Sequence, residues 1–516
     1  MKREPGCAKE PAILRIPERV APIVLTAAGV SRASLVALLA LAVAVLALAA
    51  RPSTATAGEY TPAGLYEVHT TTLANGLRVV LRSREGARNV AIRLVVHVGM
   101  YDFPCGYKET PHFLEHLLFT GTSRHTEREL DALIEDHGGS WNASTGGEKT
   151  TYQVDIFSKH TDVALNTLYE IITDSQISAE NVALSRDIVH REMGGRPSTL
   201  RRWLYRYGIG VDAEAKADDL LWPAHMNCAE LQTADAITRE DVLQAFAKYY
   251  VANNMALIVV GDFSQDSVLT QIERTFGQLV PSNLGADDMQ DVVRPIGYHE
   301  LSGTLSPVLG SDAEATLAFS VPGYVSADVF ALMILREHLN LHLYNELRVA
   351  RGLSYAPGSS LGLDQKTGVF KMFADVDRER IEDAVTLLLE HVDDLQARPL
   401  DAAAVERMQR RILLGFAQAY QDNADIADYY ASNWRRFERD GAFTDLEAAV
   451  KAVSADDVAA VAHRYVHRDN LVVIRSSPLL SHSQFYGLLL VVLLLALLLT
   501  WRSYRGLHSR RRSKLH

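Results

Sequence analysis

Apolar positions in the middle of the chain recur with two periods, one typical of strands and one of helices. Alternating or clustered β-branched residues predict strands at 77–81, 90–98 and 150–156. Apolar residues three and four positions apart predict helices at 112–120, 127–137 and 162–175. Strands and helices therefore interleave, which predicts an α+β fold of layered sheets and helices.

The sequence around Asp241 recurs 216 residues later, around Asp457. Both copies begin with a helix-capping pattern and continue into an apolar run, so each predicts a capped helix followed by a strand. The pairs that are identical at this one offset are Asp241/Asp457, Val242/Val458, Tyr249/Tyr465, Asn254/Asn470 and Ile258/Ile474. We therefore predict two tandem homologous domains at 58–280 and 292–478, joined by a linker at 281–291.

Two segments near the ends of the chain are more apolar than an ordinary domain. Residues 33–50 are small or aliphatic and precede Ala55-Thr56-Ala57, a pattern typical of a secretory signal with its cleavage site. Residues 1–57 are therefore predicted to be either a cleaved signal peptide or an uncleaved signal anchor.

The second apolar segment, 485–501, predicts a transmembrane helix. Its seventeen residues extend about 25 Å as a helix, near the lower limit for crossing a bilayer. Residues 502–516 follow with six basic side chains, so the positive-inside rule predicts a cytoplasmic tail. A buried core helix is the alternative. We expect a single span in the inner (cytoplasmic) membrane, with the body of the chain on the periplasmic side.

Composition and charge agree with a folded body outside the cytoplasm. The 516 residues are 48% hydrophobic and 22% charged, as in globular proteins with sizeable cores. The net charge is −11, of which residues 1–57 contribute +4 and residues 502–516 contribute +6, leaving −21 on the body. This charge excludes a nucleic-acid binder, and either favours cationic peptides or serves solubility. Cys105 and Cys228 form one disulfide or remain free thiols.

The motif that carries chemistry is His112-Phe113-Leu114-Glu115-His116. In a helix the two histidines lie on one face, where both rings can bind one ion. The H-x-x-E-H order is the inverzincin signature, and Glu192 follows 76 residues after His116. Two histidines and a distant carboxylate leave a coordination position open, as catalytic zinc sites do. Zinc suits these ligands, and another divalent metal is the alternative.

The second half lacks this motif. Glu337-His338 lies on a comparable predicted helix, but Ile334 stands where the first histidine would be. We therefore predict that the second domain has no zinc site.

Further segments make the chain resemble the pitrilysin (insulinase-type) metallopeptidases, in particular the short two-domain branch with mitochondrial processing peptidase and bacterial processing-protease-like proteins. These segments are 117–122, 138–145, 186–192, 261–262, 321–323 and 348–355. The resemblance implies that each domain is a mainly antiparallel sheet packed with helices. It also implies that His112, His116 and Glu192 bind one Zn²⁺ per chain and that Glu115 is the general base.

The resemblance also implies residues that bind substrate. Asn142 and Ala143 match an edge-strand segment to which substrate adds as a β-strand, although Asn142 also begins a glycosylation sequon. Arg348 and Tyr355 match a pair that holds substrate and stabilises the oxyanion. Read without the resemblance, Arg348 is a surface helix residue and Tyr355 a core aromatic.

The family architecture implies a dimer, in which the zinc of one chain faces the Arg/Tyr pair of the other across a closed chamber. This chain has both parts, so a homodimer is sufficient, and a heterodimer with a related chain is the alternative. Two departures are Ser185, where the family often has a second glutamate, and Glu109-Thr110-Pro111 before His112. Other histidines, such as His125 and His137, are expected to be structural or solvent-facing.

We therefore predict a membrane-tethered zinc endopeptidase that hydrolyses peptides or unfolded exported polypeptides inside an enclosed chamber. The alternatives are a non-catalytic scaffold or partner subunit of the same fold, and a peptidase that is active only as a heterodimer. The four intact residues His112, Glu115, His116 and Glu192 favour the enzyme, since a scaffold has no need of all of them.

Overall fold

The computed structural model describes residues 64–207, 211–228, 233–284, 293, 296–304 and 309–512. The predicted signal peptide or anchor at 1–57 lies outside the described residues, as do most of the predicted linker at 281–291 and the last residues of the basic tail.

The first half forms one six-stranded sheet. Its strands are β1 (His69–Thr72), β2 (Arg78–Ser83), β3 (Asn89–Val96), β4 (Ser140–Thr145), β5 (Thr150–Phe157) and β6 (Met255–Gly261). Their order is β1-β2-β6-β3-β5-β4. Only the β2/β6 pair is parallel. Strand β6 is a continuous apolar run, and every one of its residues is buried. This is the pattern expected at the centre of a sheet that is covered on both faces.

The first half also contains eight helices in the described part of the chain, of which the sixth packs on the sheet of the second half. They are α1 (Thr110–Phe119), α2 (Glu127–Glu135), α3 (Thr161–Asp174), α4 (Ala179–Glu192), α5 (Thr199–Arg206), α6 (Ala213–Leu221), α7 (Arg239–Tyr249) and α8 (Gln265–Arg274).

The second half forms a five-stranded sheet in the order β7-β11-β8-β10-β9, in which only β7 and β11 are parallel. The strands are β7 (Gly297–Thr304), β8 (Asp312–Pro322), β9 (Gly358–Leu363), β10 (Thr367–Asp377) and β11 (Asn470–Ser477). The helices are α9 (Val329–Leu343), α10 (Ile381–Ala397), α11 (Ala402–Ala419), α12 (Asn423–Asp440), α13 (Leu446–Ala452), α14 (Ala455–Tyr465) and α15 (His482–Arg512). A π-helical turn, Tyr344–Ala350, follows α9.

The two sheets repeat one topology, as the internal repeat predicted. The order β2-β6-β3-β5-β4 of the first corresponds to β7-β11-β8-β10-β9 of the second, with the parallel pair at the same place. Helices α7 and α14 both begin with a capping box, closed by Asp241 and Asp457. Asn254 donates to the carbonyls of Tyr249 and His97. Asn470 donates likewise to Tyr465 and Ser320. The repeated asparagine thus ties the end of a helix to the sheet in both halves.

Helix α12 of the second half covers strands β3 and β6 of the first sheet. Its Ile426 belongs to the same apolar cluster as Ala91 and Ile258. Arg93, 1% exposed, forms ion pairs with Asp428 of α12 at 2.6 Å and Asp155 at 2.9 Å. These contacts make α12 a structural link between the halves, since an unpaired buried arginine costs about 3–5 kcal/mol.

Cys105 and Cys228 form a disulfide across 123 residues of sequence. It ties the loop before α1 to the segment after α6. The question that the sequence left open, one disulfide or two thiols, is thereby answered in favour of the disulfide.

The C-terminal helix α15 contains one segment that is long and apolar enough to cross a membrane. This segment, His482–Ser503, has 22 residues and a mean hydropathy of 2.2, and no residue of its most apolar stretch is buried. It includes the predicted span at 485–501. Its exposure contradicts the alternative of a buried core helix, whereas insertion in a membrane stays a prediction.

Candidate metal centre

Helix α1 places two histidines beside each other because its apolar residues bury the opposite face. Pro111 lies in the first turn, where its missing N–H costs no hydrogen bond. Phe113, Leu114, Leu117 and Leu118 are buried against the sheet and neighbouring helices. His112 and His116 are left on the remaining face, with ring centres 4.8 Å apart.

Helix α4 packs on α1 and ends at Glu192, which brings this carboxylate to the two histidines. The Nε2 atoms of His112 and His116 are 3.1 Å apart. Glu192 Oε2 lies 3.0 Å from His112 Nε2 and 3.4 Å from His116 Nε2. The three predicted ligands therefore converge, although 76 residues separate the last two.

The donor atoms fit a zinc ion. Zn–N and Zn–O bonds of about 2.0–2.2 Å place the ligands of a tetrahedral ion about 3.3–3.5 Å apart. The separations here are 3.0–3.4 Å. The histidine side chains are 17% and 23% exposed and the Glu192 side chain 49%. One side of the cluster is thus open to solvent, as a catalytic position requires.

Glu109 is a site residue that the sequence reasoning did not identify. His112 Nδ1 donates to Glu109 Oε2 at 2.9 Å, which leaves Nε2 free to bind a metal. Burial alone lowers the pKa of His112, but the hydrogen bond to Glu109 and the charges of Glu115 and Glu192 outweigh it and raise the pKa. The sequence does contain a signal for this role, namely an acidic residue three positions before a candidate ligand.

Glu115 also has a partner that the sequence did not reveal. Thr145, the last residue of β4, donates its hydroxyl to Glu115 Oε2 at 2.5 Å. This bond fixes one carboxylate oxygen of Glu115 and joins helix α1 to the end of β4.

Strand β4 is the edge of the first sheet, as predicted for Asn142 and Ala143. Asn142 is exposed and Ala143 is buried against the sheet. The Asn142 side chain accepts a hydrogen bond from the Ala143 amide at 2.9 Å. Among the described strands β4 pairs only with β5, so its outer side is available to an added strand.

Arg348 and Tyr355 contact each other in the second half. The Arg348 guanidinium lies 4.2 Å from the centre of the Tyr355 ring, and Nη1 donates to the Tyr355 carbonyl at 2.8 Å. Tyr355 is 73% exposed, so the core-aromatic alternative is wrong. Within the described residues no hydrogen bond or ion pair joins these two residues to the metal cluster. Arg348 lies in the π-helical turn, a feature common at functional sites.

The remaining predicted positions have structural surroundings. Ser185 is buried on α4, about two turns before Glu192. His125 contacts Glu170 at 2.8 Å, and His137 Nδ1 donates to the Leu133 carbonyl at 2.9 Å.

Comparison with known families matches most of the body of the chain. A family model described as Insulinase (Peptidase family M16) matches residues 78–200, and one described as Peptidase M16 inactive domain matches residues 236–412. Together they cover more than half of the chain, the first including the metal cluster and the second including Arg348 and Tyr355.

Individual relatives align over most of the body. The probable mitochondrial-processing peptidase subunit beta of Arabidopsis thaliana is 25% identical over 434 residues, 80% of this chain and 79% of the relative. An uncharacterized zinc protease of Streptomyces coelicolor is 24% identical over 438 residues, 81% of this chain and 91% of the relative. The crystal structure of a protease from Helicobacter pylori has a TM-score of 0.65 at 20% identity, covering 80% of this chain and 100% of that one. This last likeness establishes a shared fold.

Proposed function

The chain belongs to peptidase family M16, the insulinase family, and on that premise we propose that it is a membrane-tethered zinc endopeptidase. Its substrates are peptides or unfolded exported polypeptides. The observation that carries this proposal is the convergence of His112, His116 and Glu192 donor atoms within 3.0–3.4 Å of one another. Glu115 stands between the two histidines in the motif. In the described structure no hydrogen bond or ion pair joins its carboxylate to His112, His116 or Glu192.

Each residue of the cluster has a distinct role. His112, His116 and Glu192 hold the metal, and the Glu109 carboxylate keeps His112 in the tautomer that presents Nε2. A bound Zn²⁺ supplies Lewis acidity, lowering the pKa of water toward ~7 and polarising the scissile carbonyl. Glu115 accepts the proton of the attacking water and delivers it to the leaving amine. Thr145 orients Glu115 for both transfers through its 2.5 Å hydrogen bond.

Substrate binds as an extended strand along the outer side of β4. Backbone hydrogen bonds to an edge strand recognise a peptide in extended form and exclude folded proteins. Because Thr145 at the end of β4 contacts Glu115, a strand added to β4 passes close to the catalytic base. Asn142 and Ala143 are the β4 residues that we assign to this binding.

We assign a homodimer to the active form, with Arg348 and Tyr355 of one copy completing the site of the other. The exposure of Tyr355 supports this arrangement, because an aromatic ring held against an arginine and left in solvent suits an interface. Mixing Glu115→Gln with Tyr355→Phe tests it. Random pairing then rebuilds one intact site in half of the dimers, so activity should recover to about a quarter of wild type. No recovery after verified subunit exchange would favour a heterodimer or a single-chain site.

We assign the body to the extracytoplasmic side of the inner membrane. The exposed apolar helix His482–Ser503 and the basic tail after it support this orientation. The Cys105–Cys228 disulfide supports an oxidising compartment. Residues 58–280 are the zinc domain, 281–291 the linker and 292–478 the second domain. Protease added to intact spheroplasts should digest the body and spare the tail; digestion from the cytoplasmic side alone would refute the orientation.

The peptidase itself is tested by removing and restoring the metal. The full chain in detergent should cleave a pool of unstructured peptides, lose this activity with a chelator, and regain it on addition of zinc. A folded chain that binds zinc and cleaves nothing would favour the partner-dependent alternative. A folded chain without zinc or cleavage would favour the scaffold.

A further inference from the structure

A second cluster of imidazoles lies in the second half, away from the site described above. His338 and His342 are four residues apart on α9, with ring centres 5.7 Å apart. His391 of α10 lies beside them, its ring centre 4.9 Å from that of His342. All three rings line one cavity of about 340 Å³.

The helix that carries this pair is the counterpart of the metal helix α1 in the repeat. Ile334 occupies the position of His112, and His338 that of His116. The second half therefore keeps two histidines at i and i+4, displaced by one helical turn toward the C-terminus. A comparison of the motif positions alone does not detect this pair, because Ile334 stands where the first histidine of the motif would be.

The ring spacing suits one metal ion. Metal–nitrogen bonds of about 2.0–2.1 Å set the ring centres of two imidazoles on one tetrahedral ion about 5 Å apart. The His112/His116 pair has 4.8 Å, and the two contacts here are 5.7 and 4.9 Å. Unlike those of His112, His116 and Glu192, the donor atoms of these three side chains do not all lie within 4.8 Å of one another. Because His342 contacts both other rings and is exposed, rotation of its side chain is the movement that metal binding requires.

His391 provides an independent indication of a ligand. It is 8% exposed, and its Nε2 has no hydrogen-bond partner among the described residues. A buried polar atom without a partner is destabilising, and a bound ion would supply that partner.

We infer that His338, His342 and His391 form a second site, which binds a divalent late transition metal such as Zn²⁺, Co²⁺ or Ni²⁺ through imidazole nitrogen. Asp394 and Asp401 line the same cavity. Asp394 is paired with Arg398 at 2.5 Å, and Asp401 caps α11 through the Ala404 amide. Because both carboxylates already have these partners, we assign only the three imidazoles as ligands.

This second site has no hydrolytic role. Glu337, which precedes His338 as Glu115 precedes His116, is paired with Arg411 at 2.7 Å and with Arg336 at 3.3 Å. It therefore cannot serve as a free base. The inference is independent of the peptidase proposal, because it rests on different residues in the other half.

The test is the number of zinc ions retained by the full chain, purified without a polyhistidine tag and dialysed at about 1 μM free zinc. Wild type should retain two ions per chain, in contrast to the single Zn²⁺ and the zinc-free second domain predicted from the sequence. His112→Gln/His116→Gln should retain one, and adding His342→Gln should remove it. His342→Gln alone should lose one ion and keep peptide cleavage. Because His342 is exposed, this variant is expected to fold.

The matched control is His137→Gln. His137 also contacts a second histidine, His160, with ring centres 4.4 Å apart, but no third imidazole joins them among the described residues. Zinc content should not change. The inference is overturned if His112→Gln/His116→Gln retains no zinc, or if His342→Gln leaves the wild-type content unchanged. Either result leaves the peptidase proposal standing, since that depends on metal at the first site.

Discussion

Replacing Glu109 with glutamine tests whether the carboxylate behind His112 controls the metal. The variant keeps an amide oxygen within reach of His112 Nδ1 but removes the negative charge. The Glu109 side chain does not cap helix α1, so the substitution removes no hydrogen bond from the helix backbone. Replacement with alanine removes both the charge and the acceptor.

The expected magnitude follows from the 2.9 Å bond between His112 Nδ1 and Glu109 Oε2. Losing the partner of a metal-bound histidine typically weakens metal binding by about 10- to 100-fold, which is about 1.4–2.7 kcal/mol. Glu109→Gln should lie near the lower limit and Glu109→Ala near the upper one. Fully zinc-loaded enzyme should lose less activity than affinity, because Glu109 does not touch the reacting atoms.

The assay is a competition for zinc between the full chain and a chromophoric chelator, followed by peptide cleavage at saturating zinc. Glu135→Gln is the matched control, since Glu135 is exposed at the end of α2 and contacts none of the metal ligands. If both Glu109 variants bind zinc within twofold of wild type, the assigned role of Glu109 is wrong.

Three further predictions concern stability and turnover. Thr145→Val should retain zinc and lower kcat about tenfold, because a hydrogen bond to the charged Glu115 is worth about 1.5 kcal/mol or more; an unchanged kcat would contradict this. Burial raises the pKa of Glu148 from 4.5 to about 7, so the folded state binds this proton more tightly than the unfolded state does. The free energy of unfolding of wild type therefore falls by up to about 3 kcal/mol as the pH rises between these two pKa values. Glu148→Gln should therefore match wild type in thermal unfolding at pH 5 and be more stable at pH 8. An equal difference in stability between variant and wild type at the two pH values would refute burial of Glu148 as the cause. Cys105→Ser opens a 123-residue loop and should lower stability by about 4–5 kcal/mol, measured by thermal unfolding with and without reductant; a reductant-insensitive wild type would contradict it.

Much of the fold could be predicted because it depends on local patterns. The strand predicted at 150–156 is β5 (Thr150–Phe157), and the helix predicted at 162–175 is α3 (Thr161–Asp174). The repeated capping box and asparagine gave the two halves, because both features act within a few residues of sequence. The candidate ligands His112 and His116 were recognisable for the same reason, since the motif places them one helical turn apart, whereas Glu192 lies 76 residues farther along the chain.

What the sequence did not reveal depends on contacts between distant segments. The hydrogen bond from Thr145 to Glu115 joins a strand to a helix 30 residues away. The ring of His391 lies beside His342 only because α10 packs near α9 in the folded chain. Glu109 was within reach of sequence reasoning, because a helix places residues three apart on the same side.

The most direct test of the central claim is Glu115→Gln in the full chain. This substitution keeps the size and polarity of the side chain and removes the general base. The account predicts the zinc content of wild type with cleavage of unstructured peptides reduced by about 10²- to 10⁴-fold. Wild-type cleavage by Glu115→Gln, at equal zinc content, would show that Glu115 is not the base and would contradict the proposed function.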